Sequence, residues 1–149
     1  PTVAAMKEGP KPGPPPRRTA VAAVIERDGR VLICQRSRHD SHPLKWEFPG
    51  GKVEPGETPR AALERELKEE LAIQARIGKE LEALSHRYPG RAPFRLRFFR
   101  VAEFSGEPVN RIFERIVWEE PARLPQYDFL EADTDFVRRL ALGWPHGKR

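Results

Sequence analysis

The stretch from Gly50 to Ile73, GGKVEPGETPRAALERELKEELAI, limits what this chain can become more than any other. A glycine pair leads through a charged loop into a helix. Thr58 is placed to cap that helix, and Pro59 takes its first position, where a missing N–H costs nothing. The helix is expected to run to about Leu71. On a wheel of about 100° per residue, Leu63, Leu67 and Leu71 form one buried stripe. Glu66, Glu69 and Glu70 gather about a quarter turn away. Glu66 and Glu70 are i, i+4 neighbours, and like charges so placed destabilise a helix by roughly 0.2–0.5 kcal/mol. A helix shaped for stability alone would carry a lysine here, yet Lys68 lies on another face. One reading is a solvated acidic face. Two features favour another. The carboxylates adjoin the apolar stripe, so they sit at the edge of the packed layer. Gly50 and Gly51 also allow backbone to approach a ligand closely. Hard oxygen ligands so arranged suit Mg²⁺ or Mn²⁺, which keep waters and take further ligands from substrate phosphates.

The chain has 149 residues with 33% charged, enough for one soluble domain with a core. The net charge of +5 is uneven: Lys7, Lys11, Arg17 and Arg18 against Glu8 leave +3 in residues 1–18, and about +2 in the rest. That weakens a case for duplex DNA and still suits a small anionic substrate. No apolar run approaches the roughly 18 residues of a membrane span, and the proline-rich start lacks the apolar core of a signal peptide. The single cysteine, Cys34, excludes an internal disulfide and a Cys-based zinc site. It lies in the apolar run Val31-Leu32-Ile33, which predicts a buried thiol in a reducing cytoplasm.

Residues 1–18 hold six of the sixteen prolines and are expected to form a flexible or polyproline-like basic arm. Residues 19–149 then form one domain. Thr19 to Arg36 predicts a hairpin turning at Asp28-Gly29. A polar loop follows, carrying His39 and His42, then a short strand over Trp46-Glu47-Phe48. After the helix, Ile73 to His86 predicts a strand pair or one bent strand, and Tyr88-Pro89-Gly90 a turn. Phe94 to Glu103 and Arg111 to Glu119 predict further strands. Pro121 to Leu124 reads as a helical turn and Thr134 to Leu142 as a terminal helix capped by Thr134. The pattern is α/β: a mixed sheet between helices, an α/β/α sandwich. Arg95 and Arg97 share a strand face with Phe99. This reads as an amphipathic strand with solvated arginines, or as basic–aromatic interleaving for single-stranded nucleic acid.

Gly51, five residues, Glu57, seven residues, then Arg65-Glu66-Leu67, any residue, Glu69-Glu70, any residue, Ala72-Ile73 resembles the signature of the Nudix hydrolase family. One position departs: Ala72 stands where the family has glycine, which predicts altered capping and intact chemistry. Trp46 to Glu54, the hairpin ending in Gln35-Arg36, Ser105-Gly106-Glu107-Pro108 and Leu130-Glu131-Ala132-Asp133 resemble the MutT-type branch, which acts on nucleoside triphosphates. The resemblance covers about residues 19–142. It implies hydrolysis of a triphosphate to monophosphate and pyrophosphate by water activated beside a divalent metal, Mg²⁺ with Mn²⁺ as an alternative.

The same resemblance implies roles. Glu66, Glu69 and Glu70 are metal ligands, joined by a backbone carbonyl of Gly50 or Gly51. Glu107 is a further ligand or the general base, with Glu114 competing for that place. Arg65 orients carboxylates, pairing with Glu57. Arg36 and Lys52 are candidate phosphate contacts. Phe48, Phe94 and Trp46 are candidates to stack on the base, with core packing as the alternative. Asp133 occupies the base-reading position; ionised, it can only accept hydrogen bonds, which suits a cytosine amino group or the N1–H and amino group of guanine. The substrate expected is a (deoxy)nucleoside triphosphate, oxidised or otherwise modified, such as 8-oxo-dGTP. Modified cytidine nucleotides, nucleotide sugars, dinucleoside polyphosphates and capped RNA remain alternatives, as does a non-catalytic nucleic-acid-binding module. No stable nucleic-acid or membrane partner is expected, and the protein is expected to be a monomer or homodimer.

Overall fold

The computed structural model describes residues 18–143. The proline-rich arm, apart from Arg18, lies outside them. The elements in chain order are β1 (Arg18–Val24), β2 (Glu26–Arg27), β3 (Arg30–Gln35), β4 (Trp46–Glu47), β5 (Gly50–Lys52), α1 (Pro59–Leu71), β6 (Gln74–His86), β7 (Phe94–Ser105), β8 (Arg115–Glu119) and α2 (Thr134–Leu142). Single 3-10 turns at Pro121–Gln126 and Glu131–Asp133 precede α2.

The strands form two sheets. The first runs β5-β1-β7-β6, with β1 parallel to β7 and the other pairs antiparallel. In the second, β3 pairs antiparallel with β2, β4 and β8. The expected hairpin is therefore shorter than Thr19 to Arg36. Asp28 and Gly29, at φ 54° and 78°, make the tight turn, and Leu32 N–H still donates to Ile25 O at 3.0 Å. Beyond that point the two runs part. The reason is burial: AVAAV is apolar at every position, and such a run belongs inside a sheet covered on both faces. Alternate residues of β1 serve opposite cores. Ala22 and Val24 pack toward α2 with Phe98, while Val21 and Ala23 pack toward α1 with Phe99. Helices thus cover both faces, as an α/β/α sandwich requires.

Leu63, Leu67 and Leu71 of α1 are fully buried, as their spacing predicted. Thr58 Oγ1 accepts from Ala61 N–H at 3.1 Å, so the cap is the expected one. At the other end Ala72 adopts the left-handed conformation, φ 59°, and its N–H reaches Lys68 O at 3.1 Å. The cap geometry is thus the one glycine would give, contrary to the altered capping expected, and the cost appears as backbone strain. The segment from Ile73 is one strand, β6, with three register shifts against β7.

One strand start and one helix cap differ from expectation. The strand expected from Arg111 starts only at Arg115. Asn110 explains this: its side chain accepts from Phe113 N–H at 2.8 Å and donates to Phe113 O at 2.9 Å, so local bonds replace a ladder. Val109 and Arg111 N–H instead satisfy the carbonyls of Leu71 and Glu70 at the end of α1. Thr134 does not cap α2. Its hydroxyl donates to Glu131 O at 2.8 Å, and Asp133 stands at the cap position without a capping side-chain bond. Cys34 is fully buried, and burial pushes its thiol well up.

Candidate active site

The glycine pair owes its identity to two close approaches. A Cβ at Gly50 would lie 1.9 Å from the backbone oxygen of Val21, and one at Gly51 would lie 2.3 Å from Glu66 Oε2. The first seats β5 on β1; the second lets a helix carboxylate reach the backbone. Gly50 N–H also donates to Glu70 Oε1 at 3.3 Å. Helix, strand and two carboxylates therefore meet at one point.

Glu70 is buried there, 8% exposed, with the Glu66 carboxyl hydrogen-bonded to it and Glu47 nearby. Burial first, then Glu66, pushes its carboxyl up to about 10, and the Gly50 N–H only partly offsets this. Two carboxylates in one dry place must share a proton or a cation. Hard oxygen donors short of positive charge fit a divalent metal ion. Glu69 is different: its side chain is 60% exposed and leans to Arg65 at 3.5 Å. Among the described residues no three acidic, histidine or cysteine side chains close into a metal cage.

Arg65 is the organiser of the loop. It clasps Glu57 through two bonds, at 2.6 and 3.0 Å, and donates to Lys52 O at 3.1 Å and to Glu66 Oε2 at 3.3 Å. Glu57 accepts from Glu54 N–H as well, and Arg65 above all holds its carboxyl down at about 2. The expected Arg65–Glu57 pair is present and ties loop to helix.

Beside Glu70 opens a cleft of about 300 Å³. Its lining brings together Arg36, Phe48, Gly50, Lys52, Glu70, Phe94 and Asp133, all expected at the site, drawn from five separate parts of the chain. Lys52 is exposed on the lining. Phe94 is half-buried, stacked 6.1 Å from Tyr88. Phe48 reaches the lining but packs mainly in the core, 5.5 Å from Phe129 and 5.7 Å from Phe136. Trp46 is core, edge-on to Tyr127, and does not line the cleft.

Arg36 is held by Ser41 O at 2.8 Å, Ser41 Oγ at 3.1 Å and Glu47 Oε1 at 3.0 Å. Asp133 is 4% exposed and makes no side-chain hydrogen bond among the described residues. Burial raises its carboxyl well above the carboxylate range, Glu47 adds to this, and Arg36 opposes it. A neutral Asp133 can donate as well as accept, unlike the ionised group considered from sequence.

Glu107 stands apart. Its carboxylate is bound by Arg27 at 3.0 and 3.2 Å, is 73% exposed and does not line the cleft. Glu114 follows Ile112 and Phe113, which do line it. Its N–H donates to Gln35 O at 2.8 Å, and its half-buried carboxylate pairs with Arg38 at 2.5 Å.

Among the lining residues that carried no assigned role in the sequence are Glu47, Tyr88 and Ile112. Glu47 lay inside the Trp46 to Glu54 run, and only its depth reveals its charge contacts. Tyr88 read as part of a turn.

A family profile described as NUDIX domain matches residues 15–140. The chain is 41% identical over 117 residues to the CTP pyrophosphohydrolase of Escherichia coli (strain K12), covering 78% of this chain and 86% of that one. It is 37% identical over 122 residues to the 8-oxo-dGTP diphosphatase of Haemophilus influenzae, covering 80% and 89%. The solution structure of the E. coli ORF135 protein matches with a TM-score of 0.73 at 38% identity, over 81% and 86%. The crystal structure of a MutT NUDIX hydrolase from Burkholderia pseudomallei gives 0.72 at 29% identity, over 81% and 95%. The helix carboxylates, the glycine strand that meets them and a profile match over most of the length agree: this chain belongs to the Nudix family.

Proposed function

We propose that the protein is a metal-dependent nucleoside triphosphate pyrophosphohydrolase, releasing monophosphate and pyrophosphate. The observation that carries this reading is the single cleft joining Glu70 and Gly50 to Arg36, Phe94 and Asp133. Carboxylates for a cation, cations for phosphate and an aromatic wall for a base share one space.

Glu66 and Glu70, with Glu69 and the Gly50 carbonyl, would hold the ion, Mg²⁺ with Mn²⁺ as a substitute. When bound, the ion neutralises phosphate charge and lowers the pKa of the attacking water. Arg65 keeps Glu66 and the loop in place. Lys52 and Arg36 attract the phosphates. Water oxygen joins phosphorus, the anhydride P–O bond breaks, pyrophosphate leaves, and a carboxylate takes the water proton. Glu114 is our choice for that base over Glu107, because it adjoins the lining residues Ile112 and Phe113; both carboxylates are paired with an arginine, Glu114 with Arg38 and Glu107 with Arg27.

The substrate we favour is an oxidised or modified nucleotide such as 8-oxo-dGTP, in line with the relative of that name. A second reading, a cytidine triphosphate, is supported by the neutral Asp133. Its adjacent donor and acceptor match cytosine N3 and amino group, and match guanine N1–H and O6 equally. The reading places the enzyme in the cytoplasm, with the nucleotide pool, as a monomer or homodimer in which residues 19–149 are the catalytic domain. No helix of the described residues is long and apolar enough to cross a membrane. Turnover of 8-oxo-dGTP, dGTP, CTP, dCTP and 5-methyl-dCTP with Mg²⁺, with product analysis, tests this. Pyrophosphate from a triphosphate, abolished by Glu70→Gln, is expected. Turnover of dinucleoside polyphosphates or nucleotide sugars alone would overturn it.

A further inference from the structure

Asp133 is 4% exposed and lines the cleft, and none of the side-chain hydrogen bonds among the described residues is made by its carboxyl. Its position therefore depends on the short 3-10 turn Glu131–Asp133 that carries it. One side-chain hydrogen bond ties that turn to the β6–β7 connection: Ala132 N–H donates to the hydroxyl of Tyr88 at 3.1 Å, across 44 residues of sequence. The neighbouring tie is looser. His86 Nε2 is buried without a hydrogen-bond partner among the described residues, 3.8 Å from Glu131 Oε1.

The Tyr88 ring is itself wedged. His42 lies 4.5 Å away at 46°, His86 4.6 Å away at 70°, and Phe94 6.1 Å away at 13°. Tyr88 and Phe94 both line the cleft, so one rigid aromatic wall continues into the bond that seats the Asp133 turn. A phenol so placed does two things. Its ring sets how deep a flat base can slide along Phe94. Its hydroxyl sets where Asp133 meets the hydrogen-bonding edge of that base.

We propose that Tyr88 is a specificity-determining positioning residue, acting through Asp133 by its hydrogen bond to the Ala132 amide. The proposal rests on the nucleotide reading of this cleft. Discrimination among bases depends on unpaired polar groups penalising the wrong partner, which needs a carboxyl held within a fraction of an ångström. Tyr88→Phe removes one oxygen and keeps the ring.

Steady-state kinetics of Tyr88→Phe on 8-oxo-dGTP, dGTP, CTP and dCTP test the idea. For the preferred base, KM should rise roughly two- to tenfold, the equivalent of one net hydrogen bond. Its kcat should stay within about twofold, because the metal end of the cleft is untouched. The ratio of kcat/KM between preferred and other bases should fall by the same factor. In an Asp133→Ala background the same change should leave that ratio unmoved. Equal losses on every base, or an effect that persists without Asp133, would overturn the proposal and leave Tyr88 a packing residue.

A substrate-free measurement separates this from the parent reading. In Tyr88→Phe the Ala132 amide resonance should shift and its hydrogen exchange quicken. An unchanged amide overturns the positioning link whatever the substrate. Wild-type protein that cleaves no triphosphate, with the amide shifted as expected, overturns only the nucleotide reading.

Discussion

Two adjacent glycines should fail in different ways when each is given a methyl group. At Gly50 the new Cβ would lie 1.9 Å from Val21 O and 2.9 Å from Ala22 Cα, both backbone atoms of the strand that β5 pairs with. Neither can move without opening the β1–β5 ladder. Gly50 also sits at φ 157°, where side chains are rarely found. We expect Gly50→Ala to destabilise by about 3 kcal/mol or more, or roughly 6–12 °C in Tm at this size. At Gly51 the nearest atoms are Glu66 Oε2, Cδ and Oε1, at 2.3, 2.4 and 2.9 Å. These end a flexible side chain and can retreat, and Gly51 is not in the left-handed region. Gly51→Ala should therefore cost no more than about 1 kcal/mol, some 2–4 °C. Its kcat should fall about 100-fold, because Glu66 is pushed from the place where it meets Glu70. Thermal melts of both variants, with pyrophosphate release measured below the lower Tm, give the comparison. The reasoning is refuted if Gly51→Ala turns over like wild type, or melts as early as Gly50→Ala.

Glu114→Gln should lower kcat by roughly 100-fold or more, while Glu107→Gln stays within about threefold; the reverse order would return the base to Glu107. Glu70 holds a proton in the folded protein between its ordinary 4.5 and about 10, where the unfolded chain has released it. Metal-free stability should thus fall as pH rises across that window, by up to about 1.4 kcal/mol per unit. Denaturant titrations in chelator from pH 6 to 9 should show the slope, and both Glu70→Gln and saturating Mg²⁺ should flatten it; a flat wild-type profile would mean that Glu70 is ionised. Ala72→Gly should relieve the left-handed cap at φ 59°, adding roughly 0.5–1 kcal/mol with kcat unchanged; a lower Tm would show that the alanine is unstrained. Asp133→Asn, swapping one neutral donor–acceptor for another, should keep Tm within about 2 °C while altering base preference; a large gain in Tm at neutral pH would reveal an ionised, unpaired Asp133.

Local patterns carried the chemistry of this chain. Thr58 and Pro59 start α1, Leu63, Leu67 and Leu71 turn it inward, and that rotation alone puts Glu66 and Glu70 at the layer edge. The spacing from Gly51 to Ile73 was enough to identify the family, because its reacting groups sit on one helix and the loop before it. Backbone bonds made outside an element were not visible. Asn110 shortened β8, and Glu131 took the Thr134 hydroxyl away from α2.

What the sequence by itself determined was the family: the spacing of glycine, arginine and carboxylates from Gly51 to Ile73 carries its signature. Tertiary structure decided the rest. It buried Glu70 beside Glu66, and that burial pushes the Glu70 carboxyl up. It tied Glu107 to Arg27 and left Glu114 beside the cleft lining. It set Asp133 in the cleft wall at 4% exposure, where burial raises its carboxyl, on a turn whose Ala132 amide bonds to Tyr88. Each of these depends on burial and on partners distant in the chain, and charge state follows from those.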